Sequence, residues 1–277
     1  MTATAVATDH RMTDDEMASF VIRGYHIVQP ELRDGVNQEI YDALDALDAN
    51  PGDAVLETVP QLNEVWDSPE VVGALTSLLG MDYKMFSHRH CHRNAPGTTS
   101  QQIHQDNMND LRVAGGQVRS PDRVDLVLAM YYPQDVEQNM GPTCILPGTH
   151  VLKALPERMA SQGNFRDQFI ATVPAGSVVI LHYDIWHAGT ANTSDRVRYM
   201  LKFLFQRTSE WNAPSWNHDP RNDAAIRTRL ESENPMGMQR GLSAKQRHFR
   251  MRMWNRLAGD ESLDLSYRDK WAGGSWN

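Results

Sequence analysis

The chain has 277 residues, of which 40% are hydrophobic and 22% are charged, and its formal net charge is −8. These proportions are typical of a globular protein with a sizeable core rather than of a disordered chain. We expect no nucleic-acid partner, because proteins that bind nucleic acids usually carry clustered positive charge.

The two cysteines, Cys91 and Cys144, are too few for a disulfide framework, and the chain contains no C-x-x-C pair. No segment approaches the run of about eighteen apolar residues that a membrane span needs. The first residues also lack the basic and then apolar pattern of a signal peptide. We therefore expect a cytoplasmic protein with no membrane contact, and a disordered tail over residues 1–12.

Three segments in the first eighty residues have the spacing of amphipathic helices. Thr13 and Glu16 form a capping-box pattern for a first helix, which stops at Gly24. Apolar residues at helical spacing predict a second helix between residues 36 and 47. The segment "SPEVVGALTSLLG" predicts a third, with a proline in its first turn. These are packing helices, and nothing in them indicates chemistry.

The pattern changes to short strands from about residue 82. β-branched and aromatic runs are separated by Gly, Pro and Asn clusters, as in "RVDLVLAMYY", and most of them have no helical segment between them. This spacing favours a sandwich or barrel over βαβ units. We predict one domain over residues 13–277. Its mainly β core covers about residues 82–206, with the helices packed on it, and residues 207–277 form an irregular and helical C-terminal cover.

Two histidines and a carboxylate are the strongest candidates for a metal site. His104 and Asp106 lie two positions apart, so on an extended segment both side chains point to the same face. The pattern is weak alone, but His187 follows a buried strand and offers a third ligand. Such a set is the facial triad of non-haem Fe(II) oxygenases, which leaves three metal positions open. A 2-oxoacid can occupy two of these positions and O2 the third.

The distal carboxylate of 2-oxoglutarate would then need a buried, permanently charged partner, for which an arginine is well suited. Arg198 lies eleven residues after His187, on the following strand. Arg196 is a nearby competitor, because it shares a strand face with Arg198 if the strand has already begun there.

Three segments together resemble the phytanoyl-CoA hydroxylase-like (PhyH) family of Fe(II)/2-oxoglutarate-dependent dioxygenases. "IHQDN" is similar to the His-x-Asp strand of the family, and "QNMGPTCILPGTH" to its Asn-Gly-Pro and Pro-Gly-Ser/Thr-His segment. "HAGTANTSDRVR" is similar to its distal histidine and the arginine beyond it. With "FVIRGYHIV", they follow the order of the family over roughly residues 18–206.

The resemblance implies a double-stranded β-helix, a jelly-roll core of the cupin-like type. It implies that His104, Asp106 and His187 bind Fe(II) and that His104 and His187 lie on facing strands near the mouth of a barrel. It further implies, by the spacing from the distal histidine, that Arg198 rather than Arg196 anchors 2-oxoglutarate. Thr143 lies in the segment that the family often brings past this cosubstrate.

Other polar residues near these segments have competing interpretations. Gln102 shares the parity of the two ligands and is a candidate for cosubstrate or substrate contact, with simple strand packing as the alternative. His88, His90 and His92 alternate along one strand face and lack an obvious carboxylate, so they are more typical of a strand face than of a second metal site. His182 and Asp184 form another His-x-Asp, but the order of the family makes this pair a decoy.

We therefore expect an enzyme that uses Fe(II), 2-oxoglutarate and O2 to hydroxylate a small metabolite or natural-product intermediate, releasing succinate and CO2. Halogenating relatives have Gly or Ala where this chain has Asp106, which favours hydroxylation. Desaturation, epoxidation and cyclisation would use the same residues. An acyl-CoA substrate is an alternative within the family, and a non-catalytic metal-binding β-barrel is an alternative outside it. The sequence does not indicate an oligomeric state.

Overall fold

The structure is a computed structural model that describes residues 10–106, 122–152, 164–235 and 240–260, with side chains from residue 246 onward in the last range. In these ranges the strands are β1 (Tyr25–Val28), β2 (Lys84–Asn94), β3 (Leu126–Tyr131), β4 (Thr143–Leu146), β5 (Phe169–Ile170), β6 (Val178–His182), β7 (Trp186–Gly189) and β8 (Arg198–Gln206). The α-helices are α1 (Asp14–Arg23), α2 (Val36–Asp45), α3 (Val55–Thr58), α4 (Leu62–Trp66), α5 (Pro69–Leu79), α6 (Asp223–Ser232) and α7 (Arg240–Leu257).

The strands form two antiparallel sheets. The larger sheet has the order β1-β6-β3-β8-β2, and the smaller has the order β5-β4-β7. The sheets share an apolar layer, in which Ile145 of β4 packs with side chains of β3, β6 and β8. No ladder among the described strands joins the two sheets into a closed barrel. The predicted jelly-roll class with flanking helices is confirmed as two packed sheets.

The central strands of the larger sheet, β3, β6 and β8, are buried on both faces, and alternation of side chains separates those faces. In β8, Tyr199, Leu201 and Phe203 pack in the cluster that includes the helices, whereas Met200 and Leu204 face the smaller sheet. Because successive side chains of a strand point to opposite faces, the even-numbered positions of β8 all point between the sheets. This inner face carries the polar residues described below.

The helices cover the outer face of the larger sheet, and their ends agree with the sequence. The Thr13 hydroxyl accepts a hydrogen bond from the Glu16 N–H, and the Glu16 carboxylate accepts one from the Thr13 N–H. This capping box begins α1, which ends at Gly24 in the left-handed conformation, with φ of 82°. Met12, just before it, is buried, and its N–H donates to the Ser77 hydroxyl. Residues 1–9 of the predicted tail lie outside the described residues.

The C-terminal segment is anchored on α1 through a buried carboxylate. Asp14 is 3% exposed and accepts hydrogen bonds from the Trp216 indole, the Asn222 amide and the Asp219 N–H, and its Oδ1 lies 2.8 Å from Nδ1 of His218. Further along the segment, α7 lies in the C-terminal region for which the sequence predicted irregular and helical structure. Among the described residues, no helix is both long and apolar enough to cross a membrane.

Candidate metal centre

The backbone brings two of the predicted ligands side by side. His104 and His187 form an isolated antiparallel bridge, in which each N–H donates to the carbonyl of the other residue at 3.0 Å. The two imidazole rings are 4.7 Å apart between centroids. His104 and His187 are therefore neighbours across one bridge, and not residues of two facing strands as the sequence had suggested.

The carboxylate of Asp106 completes a compact three-residue group. Its Oδ1 lies 3.4 Å from Nε2 of His104 and 3.9 Å from Nε2 of His187. Ligand atoms of all three residues lie within 4.8 Å of one another, and no other such group of His, Cys, Asp or Glu occurs in the described part of the chain. Adjacent ligand atoms that bind a metal at about 2.1 Å would lie about 3 Å apart. The donor set and its spacing therefore fit one metal ion.

Backbone carbonyls orient both imidazole rings. Nδ1 of His104 lies 2.7 Å from the carbonyl of Gln102, and Nδ1 of His187 lies 3.1 Å from the carbonyl of Ile185. A carbonyl only accepts hydrogen bonds, so each Nδ1 carries a proton, and Nε2 of each ring points into the group as the atom that would bind a metal. Such support is typical of histidines that bind metals.

Burial and charge act differently on the three residues. The hydrogen bond with Asp106 raises the pKa of His104, whereas burial lowers the pKa of His187 to about 4. Burial raises the pKa of Asp106, but the hydrogen bond with His104 and the charges of His187 and Lys202 outweigh it and leave the pKa below its usual value. The carboxylate is therefore ionised at neutral pH, and His187 is a neutral base.

Arg198 lies in the same cavity as His104 and His187, and most of its guanidinium has no partner among the described residues. The cavity has a volume of about 130 Å³, and His104, Thr143, His187 and Arg198 are among its lining residues. The Arg198 side chain is 3% exposed and donates from Nη2 to the carbonyl of Gly141 at 2.6 Å. Its Nε and Nη1 are buried without a hydrogen-bond partner among the described residues. Such unpaired donors fit an anionic ligand.

Thr143 and Gly141 support this end of the cavity. Thr143 is buried at the start of β4, and its hydroxyl lies 2.8 Å from the hydroxyl of Tyr132. Gly141 has φ of +72°, and a Cβ there would lie 2.2 Å from the Asn94 amide. Only glycine fits this position without strain, and its carbonyl is the one that accepts from Arg198.

The other two predicted cosubstrate residues lie elsewhere. Arg196 is exposed in the loop before β8, which begins at Arg198, so the two arginines do not share a strand face. The side chain of Gln102 is also exposed, because residues 101–106 are not a continuous strand and the parity argument fails there. Its contribution to the described site is the carbonyl that holds the His104 ring. Gln101 lines the cavity instead.

The second His-x-Asp has no free ligand atom on its histidine. Nε2 of His182 lies 2.9 Å from the Arg123 carbonyl, and Nδ1 accepts from the Asp184 N–H at 3.1 Å. Since both ring nitrogens of His182 are occupied, the pair is suited to packing rather than to metal binding.

The histidine face of β2 reaches from the surface to the cavity. Nδ1 of His88 lies 3.1 Å from Oδ1 of Asp53, a carboxylate that the sequence analysis missed because it lies 35 residues earlier. Nε2 of His90 is 2.7 Å from Nε2 of His88, and His92 lines the cavity. His92 is thus the member of this face that is placed to contact a small molecule.

Lys202 is the main site residue that the sequence analysis did not find. Its Nζ lies 2.8 Å from Oδ2 of Asp106, and its side chain is 13% exposed. The signal was present, since a lysine in the apolar strand "RYMLKFLFQ" shares the parity of Arg198. The inner faces of β2 and β8 consequently form a polar wall, with the Cα pairs Asn94–Arg198, His92–Met200 and His90–Lys202.

Solved structures share this fold, and two of the three described here come from nogalamycin biosynthesis. HygX from Streptomyces hygroscopicus, with nickel and 2-oxoglutarate bound, is 17% identical, with a TM-score of 0.58 over 71% of this chain and 87% of that one. The carbocyclase SnoK from nogalamycin biosynthesis is 17% identical, with a TM-score of 0.54 over 80% of this chain and 94% of that one. The epimerase SnoN of the same biosynthesis is 18% identical, with a TM-score of 0.54 over 70% and 82%. At this identity the likeness establishes the fold alone.

Family membership rests on the sequence itself. No curated protein matches the chain significantly. The model of the phytanoyl-CoA dioxygenase (PhyH) family matches residues 5–200, which is most of the chain and includes His104, Asp106, His187 and Arg198. The predicted resemblance is therefore confirmed. The chain belongs to the phytanoyl-CoA dioxygenase (PhyH) family and is an Fe(II)/2-oxoglutarate-dependent oxygenase.

Proposed function

We propose that His104, Asp106 and His187 bind Fe(II), that Arg198 anchors 2-oxoglutarate, and that the enzyme hydroxylates a C–H bond of a small metabolite or natural-product intermediate. The observation that carries this proposal is the presence of both halves of the site in one cavity. His104 and His187, whose ligand atoms converge with that of Asp106, are at one part of the wall, and the buried guanidinium of Arg198, whose Nε and Nη1 have no partner among the described residues, is at another.

The residues of the chain hold the metal and 2-oxoglutarate in place. Nε2 of His104, Nε2 of His187 and Oδ1 of Asp106 are oriented for the metal, which supplies the activation of O2 coupled to decarboxylation of 2-oxoglutarate to succinate and CO2. Nε and Nη1 of Arg198 are placed to donate to the distal carboxylate of 2-oxoglutarate, with the Thr143 hydroxyl beside them. Burial of Arg198 and His187 excludes water and strengthens these contacts.

The presence of Asp106 favours hydroxylation over halogenation, since the carboxylate occupies the ligand position that a halide would need. Desaturation, epoxidation and cyclisation stay alternatives of the same site. These alternatives are relevant because two proteins of the same fold are the carbocyclase SnoK and the epimerase SnoN. A non-catalytic metal-binding module would have no use for the buried guanidinium of Arg198, and this residue therefore supports an enzyme.

The experiment is to measure succinate formed from 2-oxoglutarate under air, with and without added Fe(II). Wild type is expected to form succinate only with Fe(II), including the slow turnover that occurs without substrate, and Asp106→Asn is expected to form none. Asp184→Asn is the matched control, because Asp184 belongs to the second His-x-Asp and its side chain is as exposed as that of Asp106, at 14%. Succinate formation that persists in Asp106→Asn, or fails in wild type, would contradict the proposal.

The proposal also covers the domain organisation of the chain, its partner and its location. The apolar cluster that covers the larger sheet includes residues from Met12 to Leu257, which supports a single domain with residues 207–277 as its cover. The partner is a small-molecule substrate, as it is for HygX, which has been solved with hygromycin B bound. The cytoplasmic location and the absence of nucleic-acid and membrane partners stay predictions from the sequence.

A further inference from the structure

Lys202 places a second cation in the cavity, away from Arg198. Both residues lie on the inner face of β8, four positions apart, which corresponds to about 13 Å along a strand. Lys202 lines the same cavity, and its Nζ contacts Oδ2 of Asp106, the oxygen that faces away from the two histidines. Two cations at two ends of one wall indicate two anionic groups to be bound.

Once the metal and 2-oxoglutarate are bound, Lys202 lacks a counter-charge. If Asp106 binds the divalent metal, as proposed above, the charges of the metal, Asp106, 2-oxoglutarate and Arg198 cancel one another. The positive charge of Lys202 is then left over in a largely buried position. Burying a charge without a counter-ion is costly, so a further anion in the cavity would be strongly favoured.

His92 offers a hydrogen-bonding atom beside this charge. It lines the cavity from β2, and its Nε2 is buried without a partner among the described residues. Burial, followed by the charge of Lys202, lowers the pKa of His92 to about 4, so the ring is neutral at physiological pH. A neutral imidazole can donate from Nε2 to an oxygen that Lys202 also contacts. Met130 and Met200 supply apolar wall next to these groups.

We propose that the substrate carries an anionic group, in the simplest case a carboxylate, which Lys202 and His92 bind close to the metal. The proposal rests on the proposed function and names the class of substrate for that site. It separates the two substrate classes considered from the sequence. The phosphates of an acyl-CoA are distant from its acyl chain and would not supply an anion at this place, whereas a small carboxylic acid would.

The test is a binding screen on the protein loaded with Ni(II) and 2-oxoglutarate. The probes are fragments in matched sets, each a carboxylate with its primary amide and its amine, on aliphatic and aromatic bodies. Binding is followed by ligand-observed NMR and by calorimetry for the hits, so no turnover is needed. Carboxylates are expected to bind in preference to their amides and amines. Lys202→Met should weaken the carboxylate hits by about tenfold or more, because it removes a charge-assisted contact.

Lys84→Met is the control, since Lys84 is exposed at the far end of β2, and it should leave the carboxylate hits unchanged. Three outcomes would overturn the proposal. They are equal binding of amides or amines, a screen without carboxylate hits, and loss of 2-oxoglutarate rather than of the fragments in Lys202→Met. The last outcome would assign Lys202 to the cosubstrate. Failure of the proposed function is seen separately, because wild type would then not bind 2-oxoglutarate with Ni(II).

Discussion

Replacing Arg198 by alanine removes the one buried guanidinium that lines the cavity with unpaired donors. Arg196→Ala is its natural control, since it removes the same side chain two positions earlier, where it is exposed. We expect the affinity for 2-oxoglutarate to fall steeply in the first variant and to change little in the second. Arg198→Lys, which keeps the charge but loses the planar fork, should fall between them.

The magnitude follows from the burial of Arg198, which is 3% exposed. Removing one partner of a buried charge pair costs about 3–5 kcal/mol, because the other charge stays unpaired. At 1.4 kcal/mol per tenfold change, this cost corresponds to a Kd that is about 10²- to 4 × 10³-fold higher. An exposed arginine contributes about 0–1 kcal/mol, so Arg196→Ala should raise the Kd by less than about fivefold.

The assay is calorimetric titration of 2-oxoglutarate into each variant loaded with Ni(II). Thermal unfolding of the same samples checks the fold, because Arg198 also donates to the carbonyl of Gly141. Similar losses of 2-oxoglutarate affinity in the two alanine variants, or a larger loss in Arg196→Ala, would refute Arg198 as the 2-oxoglutarate anchor and the start of β8 at that residue. If Arg198→Ala both loses affinity for 2-oxoglutarate and partly unfolds, Arg198→Lys separates the two effects, because the lysine keeps a donor for the Gly141 carbonyl.

Three further predictions concern the supports of the site and of the fold. Gly141→Ala should lower the melting temperature and weaken 2-oxoglutarate binding, since a Cβ there meets the Asn94 amide at a positive φ; wild-type values of both would contradict this. Asp106→Asn should destabilise the metal-free protein by about 1–3 kcal/mol in urea, because it leaves the ammonium of Lys202 with a neutral partner; a neutral effect would show that the ion pair does not form. Burial raises the pKa of Asp14, but its hydrogen bonds outweigh burial and lower the pKa, so the carboxylate is held ionised. The ionised carboxylate contributes stability above about pH 4, and this stability is lost as the pH falls through the lower folded-state pKa. Asp14→Asn should therefore cost about 1–3 kcal/mol at pH 7, and its difference from wild type should shrink towards about pH 3; a pH-independent difference would contradict the assignment.

The sequence predicted most of what depends on local patterns. The capping box at Thr13 and the stop at Gly24 bound α1 as expected, because caps are set by residues within one helical turn. The spacing from His187 to Arg198 identified the buried arginine. These features depend on residues that are close together in the sequence, so a local pattern is enough to predict them.

Features that depend on contacts between distant segments were predicted less well. The parity argument for Gln102 assumed a strand, whereas residues 101–106 pair with β7 through an isolated bridge at His104 and a hydrogen bond from the Gln101 N–H to the Gly189 carbonyl. Asp53 and His88 are brought together from positions 35 residues apart, which no periodicity shows. The ion pair of Asp106 with Lys202 joins residues 96 positions apart. The parity of β8 could have placed Lys202 on the inner face, but its partner is visible only in the fold.

The central claim is that His104, Asp106 and His187 bind Fe(II) together with 2-oxoglutarate. Its most direct test is the visible absorption spectrum recorded after anaerobic addition of Fe(II) and 2-oxoglutarate. The account predicts the weak charge-transfer band of a chelated 2-oxoacid in wild type and in Asp184→Asn, and its loss in His187→Ala. Absence of the band in wild type, or its persistence in His187→Ala, would contradict the account.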